Sequence, residues 1–132
     1  MASPSEQNFT VLVTGLDGFT GTHLGPALRD ARYDVSDLEC DIRDAGAVDA
    51  RVAELGPEVV IHLAGIADVA HSAANEIYQV NLIGSRNLFE ALSKLPRAPR
   101  QVVVASSATI YGNTPASPIT EENAPNPRND YG

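Results

Sequence analysis

Gly15, Gly18 and Gly21 stand three residues apart in TGLDGFTGTHL, directly after the apolar run FTVLVT and directly before a segment of helical spacing. Glycines at a strand-to-helix turn suit one kind of chemistry. With no side chains in the way, backbone N–H groups and the partial positive charge of a helix N-terminus can close on a diphosphate. In such a turn Gly15 permits the tight bend, Gly18 admits the diphosphate to the backbone, and Gly21 lets the helix pack close to the strand. The spacing differs from G-x-G-x-x-G, so a ligand-free glycine turn is the competing reading. Asp37 and Glu39 follow in the second β-like segment. Acidic groups there accept from the ribose hydroxyls of an adenosine and favour NAD, whereas an Arg would favour NADP; no Arg occurs between Tyr33 and Ile42. NAD is therefore the expected cofactor and NADP the alternative. His62 ends an apolar run and reads as a satisfied buried histidine rather than a metal ligand, while His23 and His71 read as helix-surface residues. The single cysteine, Cys40, excludes an internal disulfide and a multi-thiolate metal site.

The elements that must position these residues alternate in type. Phe9 to Thr14, Tyr33 to Leu38, Glu58 to Leu63 and Gln101 to Ala105 read as strands. Thr20 to Ala31 reads as a helix with Leu24, Ala27, Leu28 and Ala31 on one face and Pro26 inside it. Asp44 to Leu55 reads as a second, with Val48, Val52 and Leu55 inward and Gly56-Pro57 as its stop. Asn75 to Leu95 reads as one long third helix. Such alternation predicts an α/β fold, a parallel sheet with helices on both faces. Residues 1–8 read as a disordered tail, and the Gly-, Pro- and Asn-rich stretch after Tyr111 as loop. The 132 residues suit one domain, and the formal net charge of -8 with no basic cluster argues against nucleic acid. The run VVIHLAGIA is far short of the ~20 residues that span a bilayer, so no membrane partner and a cytoplasmic location are expected.

Five segments together are more specific. TGLDGFTG resembles the T-G-x-x-G-F-x-G signature of the extended short-chain dehydrogenase/reductase family, the NAD-dependent epimerase/dehydratase type. DIRD (Asp41 to Asp44) resembles D-[IVL]-x-D, IHLAG resembles H-x-A-[AG], VNLIGSRNLFEAL resembles V-N-x-x-G-[ST]-x-N-L-L-E-A, and SSATIYG resembles S-S-x-x-[VI]-Y-G, all in the family's order. The resemblance implies a Rossmann-like doubly wound sheet of which this chain carries four strands in the order 3-2-1-4. It implies a dinucleotide held by Gly15, Gly18, Phe19, Thr20 and Gly21. Asp41 and Ile42 would lie at the adenine, Leu63, Ala64 and Gly65 under the cofactor, and Asn81 on the following helix.

The family's catalytic set is a Ser or Thr, a Tyr and a Lys. Carried over, these are Ser107 and Tyr131, with the Lys due at position 135, beyond Gly132. The Lys ammonium favours ionisation of a tyrosine that is otherwise almost wholly protonated at neutral pH. Residues 9–132 are thus expected to be part of an NAD(P)-binding domain, with the last strands and the substrate domain beyond it and no appreciable turnover by this piece alone. The implied substrate is a nucleotide-activated sugar that exchanges hydride at C4. SSATIYG looks like UDP-galactose 4-epimerases, whereas TGLDGFTGTHL and PRNDYG look more like GDP-4-keto-6-deoxy-mannose reductases. A dehydratase would carry Asp-Glu where Ala108 and Thr109 stand. A homodimer is expected at full length, and association through an open edge of the fourth strand for the shorter piece. The alternative is a non-catalytic nucleotide-binding module.

Overall fold

The computed structural model describes residues 9–67 and 73–132; the tail 1–8 and His71 lie outside the described residues. Four short strands, β1 (Thr10–Thr14), β2 (Asp34–Asp37), β3 (Val59–His62) and β4 (Gln101–Val104), form one parallel sheet. Between them run α1 (Phe19–Asp30), α2 (Ala45–Leu55) and a helical run in three pieces. The pieces are α3 (Ala74–Ile77), a π-helical segment (Tyr78–Gly84) and α4 (Ser85–Ser93). α2 starts where Asp44 Oδ1 accepts from Ala47 N at 3.1 Å and stops at Gly56, whose φ of 50° is left-handed.

The parallel α/β sheet matches the expectation, and its strand order corrects it. The sheet reads β2-β1-β3-β4, not 3-2-1-4. The composition of the strands explains why. β2 is the polar DVSD and can tolerate an edge. β3 carries Val60, wholly buried, and must sit inside, so it pairs with β1 on one side and β4 on the other. Leu12 and Val60 point to the face covered by α2 and α4, where Val48, Val52, Leu88, Ala91 and Leu92 complete the core. On the opposite face Leu28 of α1 shares a groove with Val11. Chain connections therefore leave β1 on opposite faces, and the switch between them opens at the C-terminal ends of β1 and β3. Ligands of doubly wound sheets bind at such a switch.

Two helices also depart from expectation. α1 packs through Gly21, Leu24, Gly25 and Leu28, while Ala27 and Ala31 are exposed, so its contact face is rotated from the one the leucine and alanine spacing suggests. Small glycines bring the backbone itself to the sheet, which a hydrophobicity pattern cannot register. The single long helix is interrupted by the π-helical turn around Asn81, a feature common at functional sites. β4 is an edge: Val102, Val103 and Val104 are 40%, 44% and 49% exposed. Among the described residues no helix is long and apolar enough to cross a membrane.

Candidate functional site

The turn after β1 is built from backbone. Gly15 has φ of 79°, a left-handed conformation that L side chains rarely adopt, and its Cα lies so close to Ala64 that a Cβ would stand 3.0 Å from the Ala64 nitrogen. Gly15 O accepts from Gly18 N at 3.1 Å and closes the turn. A Cβ on Gly21 would overlap Gly15 O and crowd Leu16. Gly18 differs: only Gly15 O would lie within reach of its Cβ, so its outer side is open. Gly18 caps α1 and has no side chain to make a capping bond, so among the described residues no cap covers the first N–H groups of the helix, which have no intrahelical partner. Phe19 is 84% exposed and meets the His23 ring edge-on at 5.1 Å.

The segment after β3 forms the floor. Ala64 N donates to Thr14 Oγ1 at 3.1 Å. Asn81 grips Ile66 twice, accepting from Ile66 N at 2.7 Å and donating to Ile66 O at 3.0 Å. Gly65 lies against that amide, and a Cβ there would stand 3.3 Å from Asn81 Oδ1. Asn81 thus holds the floor from the side.

A cleft of about 480 Å³ runs above this floor, lined by Thr20, Leu63–Gly65, Asn81, Ser106, Ser107, Ile110 and Tyr131. Ser107 ends the extended stretch after β4 and caps a 3₁₀ turn, Ala108–Tyr111. Its Oγ accepts from Thr109 N at 3.3 Å and from Thr109 Oγ1 at 3.0 Å. A hydroxyl that already accepts twice keeps its own proton free to donate. Tyr131 arrives through a tail pinned at two points: Asn126 N donates to Ile110 O at 2.7 Å and Tyr78 Oη donates to Asp130 Oδ1 at 2.9 Å. Residues 24 apart in sequence thereby line one cleft.

At the other end a cavity of about 320 Å³ is lined by Gly15, Asp17, Asp37, Glu39, Cys40 and Ile42. Asp37 Oδ1 accepts from Leu38 N at 2.8 Å. Glu39, in a left-handed conformation with φ of 54°, is paired to Arg51 Nη2 at 2.6 Å. Burial, then the neighbouring Asp44, pushes the Cys40 thiol above its ordinary value of 9.0, so it stays protonated at neutral pH. Asp41 is not in the lining; Arg43 holds its carboxylate through Nε and Nη2, the latter at 2.6 Å.

A glycine turn, a floor, a hydroxyl pair and an acidic corner thus share the C-terminal edge of one sheet. The model of the NAD-dependent epimerase/dehydratase family matches residues 11–132. The chain belongs to that family. It is 34% identical to UDP-glucose 4-epimerase of Bacillus subtilis over 92% of this chain and 43% of that protein. Among solved structures it is similar to the UDP-glucose 4-epimerase of Thermus thermophilus in complex with NAD, with a TM-score of 0.82 and 30% identity over 92% of this chain and 46% of that one. It is also similar to RMD of Pseudomonas aeruginosa complexed with NADPH, with a TM-score of 0.79 and 33% identity over 94% and 43% of the two chains. The chain spans less than half the length of these relatives.

In this epimerase/dehydratase chain two supports stand in the motif VNLIGSRNLFEAL without a role assigned from sequence. Asn87 is buried on the α4 stripe among Leu88 and Ala91, and its Nδ2 donates to Ile42 O at 3.0 Å and Arg43 O at 3.1 Å. Gly84 lets Ile42 approach the helix, since a Cβ there would stand 2.6 Å from Ile42 Cγ2. A polar residue on an apolar stripe was the available signal. Asp41 offers a pH test. Its hydrogen bonds from Arg43 lower its carboxyl from 3.8 to about 2. A lowered carboxyl contributes stability above pH 3.8 that is lost as pH falls towards 2. Asp41→Asn is expected to flatten that part of the acid-unfolding curve slightly, because the pair is half exposed, and to leave the neutral-pH urea midpoint nearly unchanged.

Proposed function

We propose that this chain is the cofactor-binding part of a sugar-nucleotide oxidoreductase or epimerase that exchanges hydride at C4 of a nucleotide-activated sugar, using Ser107 and Tyr131. The observation that carries the reading is the shared cleft: Ser107 and Tyr131 line the same cavity as Thr20 and the Leu63–Gly65 floor. The residues fit a dinucleotide. Gly18 leaves open the space a side chain would fill, beside the first N–H groups of α1, which helix geometry leaves without an intrahelical partner. Gly15, Gly18, Phe19, Thr20 and Gly21 would hold the diphosphate, Ile42 would flank the adenine with Asp41 beside it, outside the lining and with its carboxylate held by Arg43, and Leu63, Ala64, Gly65 and Asn81 would underlie the nicotinamide end. When bound, the nicotinamide supplies or accepts hydride. Tyr131 moves a proton at the C4 oxygen, and Ser107, a donor towards the cleft, polarises and orients that oxygen.

NAD is the preferred dinucleotide. Arg51 occupies Glu39 at 2.6 Å, so of the two acids at the end of β2 Asp37 is the one left to accept from the adenosine ribose, and it repels a 2′-phosphate. NADH is expected to bind at least about tenfold more tightly than NADPH, and Asp37→Ser to narrow that gap, as read by fluorescence titration. An unchanged ratio in the variant would remove Asp37 from this role.

Ala108 and Thr109 stand where a dehydratase would carry its acidic pair, which supports epimerase or reductase chemistry. The full-length protein, with NAD and UDP-glucose, is expected to invert C4 with no net NADH formed if it is an epimerase. With NADH and a GDP-4-keto-6-deoxy sugar it is expected to oxidise NADH stoichiometrically if it is a reductase. Neither reaction with any nucleotide-activated hexose would refute the proposal.

A further inference from the structure

His62 closes β3 with both ring nitrogens engaged, and the residue is 3% exposed. Its Nδ1 lies 2.6 Å from Thr14 Oγ1 and its Nε2 lies 2.8 Å from Ser85 Oγ. The positions of the protons follow from the neighbours. Thr14 Oγ1 already accepts from Ala64 N, and Thr14 is wholly buried, so its own proton needs an acceptor. The acceptor in reach is Nδ1. An Nδ1 that accepts leaves the ring proton on Nε2, which donates to Ser85 Oγ. Ser85 in turn donates to Asn81 O at 2.5 Å. The sequence Ala64 N–H to Thr14 to His62 to Ser85 to Asn81 satisfies every member in one direction. The opposite tautomer would strand the Thr14 hydroxyl in a dry interior. Burial also pushes the imidazole below its ordinary 6.5, and Phe89 packs edge-on against the ring at 6.0 Å.

The ends of this line matter more than the ring. Thr14 is the last residue before the glycine turn. Ser85 begins α4, and Asn81, one turn earlier in the π-helical segment, grips Ile66 with its amide. The imidazole therefore joins the base of the turn to the helix that holds the floor.

We propose that His62 is a positioning residue: as the neutral Nε2–H tautomer between Thr14 and Ser85, it fixes the spacing between the glycine turn and the Asn81 helix, and with it the Leu63–Gly65 floor. Its effect on cofactor binding rests on the NAD reading above; its tautomer and its hold on the floor do not.

The test uses the full-length protein. Nitrogen-15 NMR of the imidazole, without nucleotide and near neutral pH, is expected to report the Nε2–H tautomer; an Nδ1–H or doubly protonated ring would overturn the proposal. His62→Leu is expected to speed amide exchange at Ala64 and Ile66 by about tenfold and to weaken NADH binding by a similar factor. His62→Gln, which keeps a donor near the Nε2 position but leaves Thr14 without its Nδ1 acceptor, is expected to recover part of both. Val52→Ala, a core change remote from this line, serves as the control for lost stability. Equal effects from Val52→Ala, or no recovery by His62→Gln, would make His62 a packing residue and overturn the proposal. Should His62→Leu fail to fold, Ser85→Ala removes the Nε2 acceptor and is expected to give the same two effects; slow exchange and full affinity in that variant would overturn it. If the unmodified protein binds no NADH, the cofactor reading falls, while the tautomer and the exchange rates still decide the role of His62.

Discussion

Gly18→Val is expected to weaken NADH binding by about a hundredfold or more with little loss of stability, and Gly21→Ala to unfold the turn first. The two glycines sit three residues apart and fail for different reasons. At Gly18 the backbone is extended, with φ of -75° and ψ of 167°, which valine adopts readily. Its Cβ would lie 3.3 Å from Gly15 O and otherwise in open space. The isopropyl group would then fill the approach to the first N–H groups of α1. Losing two hydrogen bonds to a charged phosphate, about 1.5–3 kcal/mol each, corresponds to a hundredfold or more. At Gly21 the obstacle is backbone. Gly15 O is held by Gly18 N, and Gly15 is wedged against Ala64, so the turn cannot retreat. Overpacking of this kind costs about 1–3 kcal/mol and exceeds the gain of about 1 kcal/mol from Ala over Gly in a helix. Gly25→Ala is the control. Its Cβ would meet Leu16 Cδ2, the movable end of a side chain, so propensity and crowding nearly cancel. Urea midpoints and NADH titrations separate the outcomes. A Gly18→Val protein that binds NADH normally would remove the diphosphate from this turn.

The parts of this architecture legible in the sequence are those written in side-chain pattern. β1 and β3 are apolar runs bounded by turn residues, and α2 announces its start with Asp44 and its end with Gly56; each begins or ends within one or two residues of expectation. The strand order was not legible, because alternation of elements is the same whichever side of β1 the third strand joins. The polar character of β2 against the apolar β3 was the clue, and it concerns burial rather than periodicity. The π-helical turn was hidden for a similar reason: Ile77, Val80, Gly84 and Leu88 keep a helical spacing through it, while the cause, the grip of Asn81 on Ile66, lies in a distant loop. Asn87 stood out as a polar residue on an apolar stripe, but its partners, the Ile42 and Arg43 carbonyls, lie far off in sequence. Ser107 and Tyr131 share a cleft through tertiary contacts such as Asn126 on Ile110 and Asp130 on Tyr78, which no local pattern contains.

Those contacts shape the second large effect. In the full-length protein, Tyr131→Phe is expected to lower kcat by about 10²–10⁴, the usual contribution of a positioned acid–base group, with NADH affinity nearly unchanged. The ring keeps its place, because the anchors of the tail are Asp130 on Tyr78 and Asn126 on Ile110 rather than the Tyr131 hydroxyl. Ser107→Ala is expected to cost about 10²–10³, since it removes one donor to the same oxygen. It also strips Thr109 of its acceptor, so Ser107→Thr, which retains the hydroxyl, separates loss of the donor from loosening of the 3₁₀ turn. The double variant is expected to fall little below Tyr131→Phe alone, because two groups serving one oxygen do not act independently. Losses that multiply would place the two side chains on different steps. A Tyr131→Phe protein that keeps kcat within about tenfold would assign the proton transfer to another group, despite the cleft that Tyr131 shares with Ser107.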